Sequence, residues 1–282
     1  MQNYIQKNQY ISQKLTNSES LTIEKYHRLW VDECHPSYQD SKTIFSQSKY
    51  KYPYLPLYLG QYNIENIENL NVNVLRLLIR MNHENEKVYL PKELLILKDF
   101  ILENMNYHRL YYSKNKNAFI YLTVRCCDES TLYYKNSQTW HVDGFQGSKV
   151  KKHIVEQNFI WSNKAPTEFL LQPMFCDGLN PSRHDINDFF EKNALEQNIY
   201  RGKELGLYVM NPYNIHRVNK SSFEGKRVFI RLNFSPVEIV DITNTINPNF
   251  KRENIPMRDV RDFLNSYDID ESVISGFDKM NK

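Results

Sequence analysis

Phe119-Ile120-Tyr121-Leu122-Thr123-Val124 is short, aromatic and β-branched, the composition of a buried strand. Downstream, Phe169-Leu170-Leu171, Leu205 to Met210 and Val228 to Phe234 repeat that texture. Each is bounded by turn or polar residues, the last preceded by Glu224-Gly225, as strands joined by tight connections are. One helix, roughly Asp185 to Leu195, interrupts them with Ile186, Phe189 and Phe190 on one side. Many short strands with few helices between them favour an antiparallel barrel or sandwich over alternating βαβ units. The β core is placed at about residues 115 to 240.

The sequence before that core reads as helices and loops, a supporting region of about residues 1 to 114. A polar start leads into a Tyr- and Pro-rich stretch (Tyr50, Tyr52, Pro53, Tyr54, Pro56, Tyr58), where proline resists regular structure. Pro91 then suits a first helical position, and Leu94, Leu95, Leu97, Phe100, Ile101 and Met105 recur with the spacing of one apolar helical face. After Pro236 a C-terminal extension over about 241 to 282 is expected to carry a helix near Met257 to Tyr267, with Pro256 at its start. The expected class is thus mainly β with helical N-terminal and C-terminal additions, in a single domain.

A chain of 282 residues, 41% hydrophobic and 13% aromatic, can bury a full core. A formal net charge of only +3 gives no whole-protein field that argues for nucleic acid or an anionic membrane. Cys34, Cys126, Cys127 and Cys176 show no CxxC spacing and read as reduced thiols. Met1 to Ser20 lacks a basic start followed by an apolar stretch, so no secretory signal is expected. No run approaches the roughly eighteen apolar residues that span a bilayer, and a cytoplasmic protein is the default expectation. Glycine-rich phosphate loops of the GxxxxGK or GxGxxG type are missing, which sets nucleotide-binding α/β enzymes aside.

His141-Val142-Asp143 puts an imidazole and a carboxylate two residues apart. In a strand such residues point to the same face, so both can converge on one ion. Two histidines and one carboxylate on one face of an octahedron leave three positions open, the arrangement suited to non-haem iron(II) oxygen chemistry. With eight histidines among 282 residues, about one such pair is expected by chance, so the match alone carries little. Downstream, however, the strand Leu205 to Met210 runs into the turn Asn211-Pro212-Tyr213-Asn214, and His216 follows. Beyond it, Arg227, Phe229, Arg231 and Asn233 alternate with Val228, Ile230, Leu232 and Phe234. Arginine on a mostly buried strand is costly unless paired, and a guanidinium fork matches a carboxylate.

On these residues the segment from about Phe119 to Pro236 resembles the iron(II)- and 2-oxoglutarate-dependent dioxygenases, which fold as a double-stranded β-helix, or jelly roll. The resemblance rests on His141-Val142-Asp143, on His216 lying 75 residues after His141, and on Arg227 lying 11 residues after His216. It implies that His141, Asp143 and His216 hold iron(II) and that an arginine grips the distal carboxylate of 2-oxoglutarate, the cosubstrate. Arg227 and Arg231 both qualify, the other being left for an acidic group of the substrate. Ala165-Pro166-Thr167-Glu168-Phe169 looks like the family strand whose threonine contacts the cosubstrate, which makes Thr167 a candidate beside its reading as an ordinary β-branched strand residue. The implied activity is hydroxylation or a related oxidation of a small molecule bearing an anionic group, such as an amino acid derivative, with O2 and 2-oxoglutarate as co-reactants. Family members that halogenate replace the carboxylate with a small residue, so Asp143 points away from halogenation.

Two rivals differ in class: a cupin-like metalloenzyme with the same ligands and no 2-oxoglutarate, against which Arg227 argues, and a non-catalytic jelly-roll binding module. A protein or nucleic-acid substrate stays possible within the dioxygenase reading. Trp140, Phe145, Phe159, Trp161 and Tyr208 read as pocket lining or core, the latter being commoner for aromatics. Gln157 and Gln172 read as amide donors to a ligand or as strand-edge residues. His153, in the lysine run Lys149, Lys151 and Lys152, reads as solvated loop. Asp185, beside His184, reads as a helix cap rather than a ligand.

Overall fold

A computed structural model describes residues 56–82, 87–111, 118–128, 139–143, 145–146, 149–150, 157–174, 185–210, 214–235, 238–239, 244–247 and 250. In chain order the elements are β1 (Leu57–Gln61), β2 (Val74–Arg80), α1 (Lys98–Tyr111), β3 (Phe119–Cys127), β4 (Phe145–Gln146), β5 (Lys149–Val150) and β6 (Gln157–Ser162), then β7 (Glu168–Leu170), α2 (Ile186–Asn193), β8 (Ile199–Arg201), β9 (Gly206–Met210), β10 (His216–Arg217) and β11 (Arg227–Ser235). The mainly β class holds. A closed jelly-roll barrel is not seen among the described residues: the ladders within each compact unit are open sheets. The helix expected near Met257 to Tyr267 lies outside the described residues, as do His153, His184, Cys34 and Cys176.

Two strands correct the reading of the first hundred residues as helices and loops. β1 follows directly on the proline-rich stretch, and β2, Val-Leu-Arg-Leu-Leu-Ile-Arg, is a short apolar run with no clean period of two. Both are bent by bulges, and a bulge inserts a residue that breaks the alternation by which strands are read. Gly60 supplies the bulge in β1 at φ 121°, a conformation closed to most L-residues. In β2 the bulge between Val74 and Leu77 holds Arg76 at φ 46°, and the Arg76 N–H donates to the Thr123 hydroxyl at 3.0 Å.

The chain divides into two compact units, one drawn from Met1–Tyr62 and Tyr133–Phe223, the other from Asn63–Leu132 and Glu224–Lys282. In the second unit β3 pairs antiparallel with β11 over nine residues, from Arg227 opposite Cys127 to Ser235 opposite Phe119, and with β2 on its other edge. Gly225, at φ 75°, makes the turn that feeds β11. Val228, Ile230, Leu232 and Phe234 are buried on one face, and His108 of α1 stacks on Phe234 with ring centroids 4.1 Å apart. The helix enters through a 3-10 turn, Lys92–Leu97, behind Pro91. That tighter turn buries Leu94 and Leu97 and leaves Leu95 exposed, because 3-10 residues three apart eclipse.

The first unit contains an antiparallel ladder in which β9 lies between β1 and β6, and a three-stranded antiparallel sheet in the order β10-β7-β8. The Asp185 carboxylate caps α2 by accepting from the N–H groups of Asn187 and Asp188, as expected of that residue. The helix seats Ile186 and Phe190 against Trp140, Val142, Leu170 and Ile215 in one buried cluster. Burying each of these large side chains contributes roughly 1.5–3 kcal/mol.

Candidate metal centre

His141 and His216 face each other as an isolated antiparallel pair. The His141 N–H donates to the His216 carbonyl at 3.0 Å, and the His216 N–H to the His141 carbonyl at 2.9 Å. Antiparallel pairing fixes both faces of this junction. On one face lie the two imidazoles, their ring centroids 4.4 Å apart, with Asp143 two residues on. The opposite face carries Trp140, Val142 and Ile215, the core residues named above, and Arg217.

One ligand atom each from His141, Asp143 and His216 lies within 4.8 Å of the others. At metal–ligand bonds of about 2.1 Å and right angles, ligand atoms stand about 3 Å apart, inside the 4.8 Å that bounds this cluster. The donor chemistry fits a cation on a stronger ground. His141 Nδ1 lies 2.8 Å from the Thr139 carbonyl, and His216 Nδ1 lies 2.9 Å from the Asn214 carbonyl. A carbonyl only accepts, so each Nδ1 carries its ring's proton and each Nε2 presents a lone pair. Asn158, buried on β6, donates its amide to Asp143 Oδ2 at 3.1 Å. A pair two residues apart and a histidine 75 residues after its first member thus present two imidazole nitrogens and one carboxylate oxygen, each oriented by a backbone or amide partner.

An aromatic layer borders His216. Phe169 is its partner across β7 and β10, with ring centroids 6.4 Å apart, and Phe169 in turn touches Tyr200 and Tyr208 at 6.3 and 5.9 Å. The hydroxyls of Tyr200 and Tyr208 stand 3.3 Å apart. Burial pushes both phenols up, with the neighbouring Tyr200 adding to the rise at Tyr208, so both stay neutral.

On the opposite face the charges are paired. Glu168 lies between two arginines of its neighbouring strands, accepting from Arg217 Nε at 2.7 Å and from Arg201 Nε at 3.1 Å, and Arg201 also binds Glu196. The Arg217 guanidinium lies 4.1 Å from the centre of the Trp140 ring. Glu191 of α2 accepts the Trp140 N–H at 3.1 Å and stands 3.9 Å from Arg217 Nη1 and 3.5 Å from Lys220 Nζ.

Of the other expected residues, Thr167 is buried in the first unit directly before β7, where its carbonyl accepts the Gly202 N–H at 3.1 Å. Arg227 and Arg231 belong to the second unit. Arg227 is buried, hydrogen-bonds the Cys127 thiol and lies near the Phe229 ring, and desolvation lowers its pKa against the pull of Cys127. Trp140, Phe159, Trp161 and Tyr208 are buried, and Trp161 Nε1 donates to the Tyr62 carbonyl. Gln172 ties down the end of α2, donating to the Asn193 carbonyl at 2.7 Å and accepting from the Leu195 N–H at 2.8 Å. Asn158, Glu168, Glu191 and Arg217 escaped the sequence reading. The one available signal was the polar pair Gln157-Asn158 leading into the apolar run Phe159-Ile160-Trp161.

No protein-family model and no curated protein matches the sequence. Among solved structures the chain is similar to the crystal structure of EvdMO1, at 14% identity and a TM-score of 0.33, with 63% of this chain and 38% of that one covered. It is also similar to the crystal structure of EvdO2 from Micromonospora carbonacea var. aurantiaca, at 9% identity and a TM-score of 0.37, covering 72% of this chain and 94% of that one. The chain therefore spans well under half the length of EvdMO1 and nearly all of EvdO2. No helix among the described residues is long and apolar enough to cross a membrane.

Proposed function

We propose that the chain is an iron(II)- and 2-oxoglutarate-dependent oxygenase, with His141, Asp143 and His216 as metal ligands and a small organic molecule bearing an anionic group as substrate. The observation that carries the reading is the donor set: two imidazoles held as Nδ1–H tautomers and one carboxylate, with a ligand atom of each within 4.8 Å of the others. Cysteine is absent from that cluster, which argues against a thiolate-rich structural zinc site, and two nitrogens with one oxygen suit iron(II) with open positions. When bound, iron supplies oxygen activation at those open positions, coupling conversion of 2-oxoglutarate to succinate with oxidation of a C–H bond.

The protein's own part is to hold the ligands and to place the substrates. The Thr139 and Asn214 carbonyls fix the imidazole rings, Asn158 fixes the carboxylate, and the Phe169 layer removes water from the His216 side. Within this reading Arg227 or Arg231 takes the distal carboxylate of 2-oxoglutarate and Thr167 is a further contact. The resemblance supports those roles, and so does the burial of Arg227, since a desolvated guanidinium favours an anion. A cupin-like metalloenzyme without 2-oxoglutarate shares the ligands, and Arg227 again separates the two readings.

Anaerobic titration with iron(II) and then 2-oxoglutarate tests the proposal. A visible metal-to-ligand charge-transfer band is expected, and it should vanish in His216→Ala. Folded protein that binds iron(II) but gives no band with 2-oxoglutarate would leave the cupin-like reading in its place. Arg227→Gln should weaken 2-oxoglutarate binding far more than Arg231→Gln; the reverse order moves the cosubstrate to Arg231.

A further inference from the structure

The segment that carries His141 and Asp143 has a slender backbone attachment. Among the described residues it meets β10 through a single bridge, with two backbone hydrogen bonds at His141 and His216. In such a pair the N–H of the preceding residue, Trp140, points away from β10, and the Glu191 carboxylate of α2 takes that N–H. The same carboxylate faces Arg217, the residue after His216, while the Arg217 guanidinium lies over the Trp140 ring. One immediate neighbour of each histidine, Trp140 and Arg217, is thereby gripped from the face opposite the ligands. Glu168, with its side chain 3% exposed, anchors Arg217 from β7.

We propose that Glu191 and Arg217 are positioning residues of the metal centre, a clamp that sets the separation of His141 and His216 by holding Trp140 and Arg217 against each other. This inference rests on the metal-centre reading. Neither side chain touches the ion; each acts through the backbone of the residue beside a ligand. A shift of that backbone by a fraction of an ångström moves an imidazole nitrogen off its coordination position, and partners of this indirect kind typically change metal affinity about 10–100-fold. The pairing is chemically specific. Glu191 offers one oxygen to a backbone N–H and the other toward cations. Arg217 offers a planar group that stacks on an indole while its edge meets a carboxylate, which lysine cannot reproduce.

Cobalt(II) serves as the probe, binding the same donors and reporting their geometry in its visible absorption. Full-length wild type, Glu191→Gln, Glu191→Leu, Arg217→Lys and His216→Ala are titrated, with circular dichroism confirming the fold of each. Glu191→Leu loses both the N–H acceptor and the charge, and should bind cobalt(II) about 10–100-fold more weakly with an altered spectrum. Glu191→Gln keeps an acceptor for the Trp140 N–H and should recover part of that loss. Arg217→Lys should weaken binding about tenfold and change the spectrum. Folded Glu191→Gln and Arg217→Lys with wild-type affinity and spectrum overturn the clamp; these two decide the matter should Glu191→Leu not fold. Wild type that binds no cobalt(II), or binds it equally well in His216→Ala, overturns the metal reading instead.

Discussion

An imidazole can give one nitrogen to a metal while the other keeps its proton, and a nearby carbonyl decides which. At His141 and His216 that carbonyl belongs to the residue two positions earlier, Thr139 and Asn214, so short-range backbone geometry sets both tautomers. The Asp143 carboxylate takes the amide of Asn158, 15 residues away. Asn158→Ala is accordingly expected to lower metal affinity about tenfold or more with little loss of secondary structure, measured by cobalt(II) titration beside circular dichroism. A second expectation concerns Cys126, whose thiol burial pushes up from 9.0 to about 11. Between those values the folded state holds a proton that the unfolded state has released, so stability falls as pH rises from about 9 to 11. Wild type should lose on the order of 2 kcal/mol more than Cys126→Ala across that window, read from denaturant midpoints at each pH. The His141, Asp143 and His216 cluster could be anticipated from local chemistry, an imidazole and a carboxylate two residues apart and a histidine after a turn, and the structure gathers the three. Their supports could not be anticipated, because Glu168, Glu191 and Arg217 acquire meaning only when strands and a helix distant in sequence are paired.

At the scale of elements, α2 carries more than its eight residues suggest. Its N-terminus is held by the Asp185 carboxylate, its apolar side by Trp140 and Ile215, and its Glu191 by the histidine segments. Asp185→Ala should cost about 1 kcal/mol through loss of the cap, and Phe190→Ala about 3–5 kcal/mol through an unfilled cavity; thermal unfolding followed by circular dichroism checks the order. Both positions could be read in the sequence, since a capping aspartate and a one-sided apolar helix are local signals. β3 and β11 were equally plain, their aromatic and β-branched runs standing between polar turns. β1 and β2 were hidden, one behind prolines and the other behind a bulge at Arg76. Irregular strands lose the two-residue period, and only their pairing with β9 and β3 reveals them.

For the molecule as a whole, a metal that binds the folded site and not the unfolded chain must add to stability. At a free metal concentration about 100-fold above Kd the gain is about 2.7 kcal/mol, on the order of 5–10 °C in the transition of the unit that holds the ligands. Calorimetry with and without a chelator should show that difference in wild type and none in His216→Ala. The pairing of His141 with His216 also restricts how chain length can vary. Side chains alternate along both segments, so one residue added or removed within 214–217 would carry the imidazole to the ionic side and set a guanidinium where a cation belongs. Two residues would restore the faces. Inside the segments only insertions of an even number keep the imidazole on its face, since a deletion there removes His216, Asn214 or Arg217 or shifts the faces. A library of insertion variants selected for metal binding should therefore show a parity rule there.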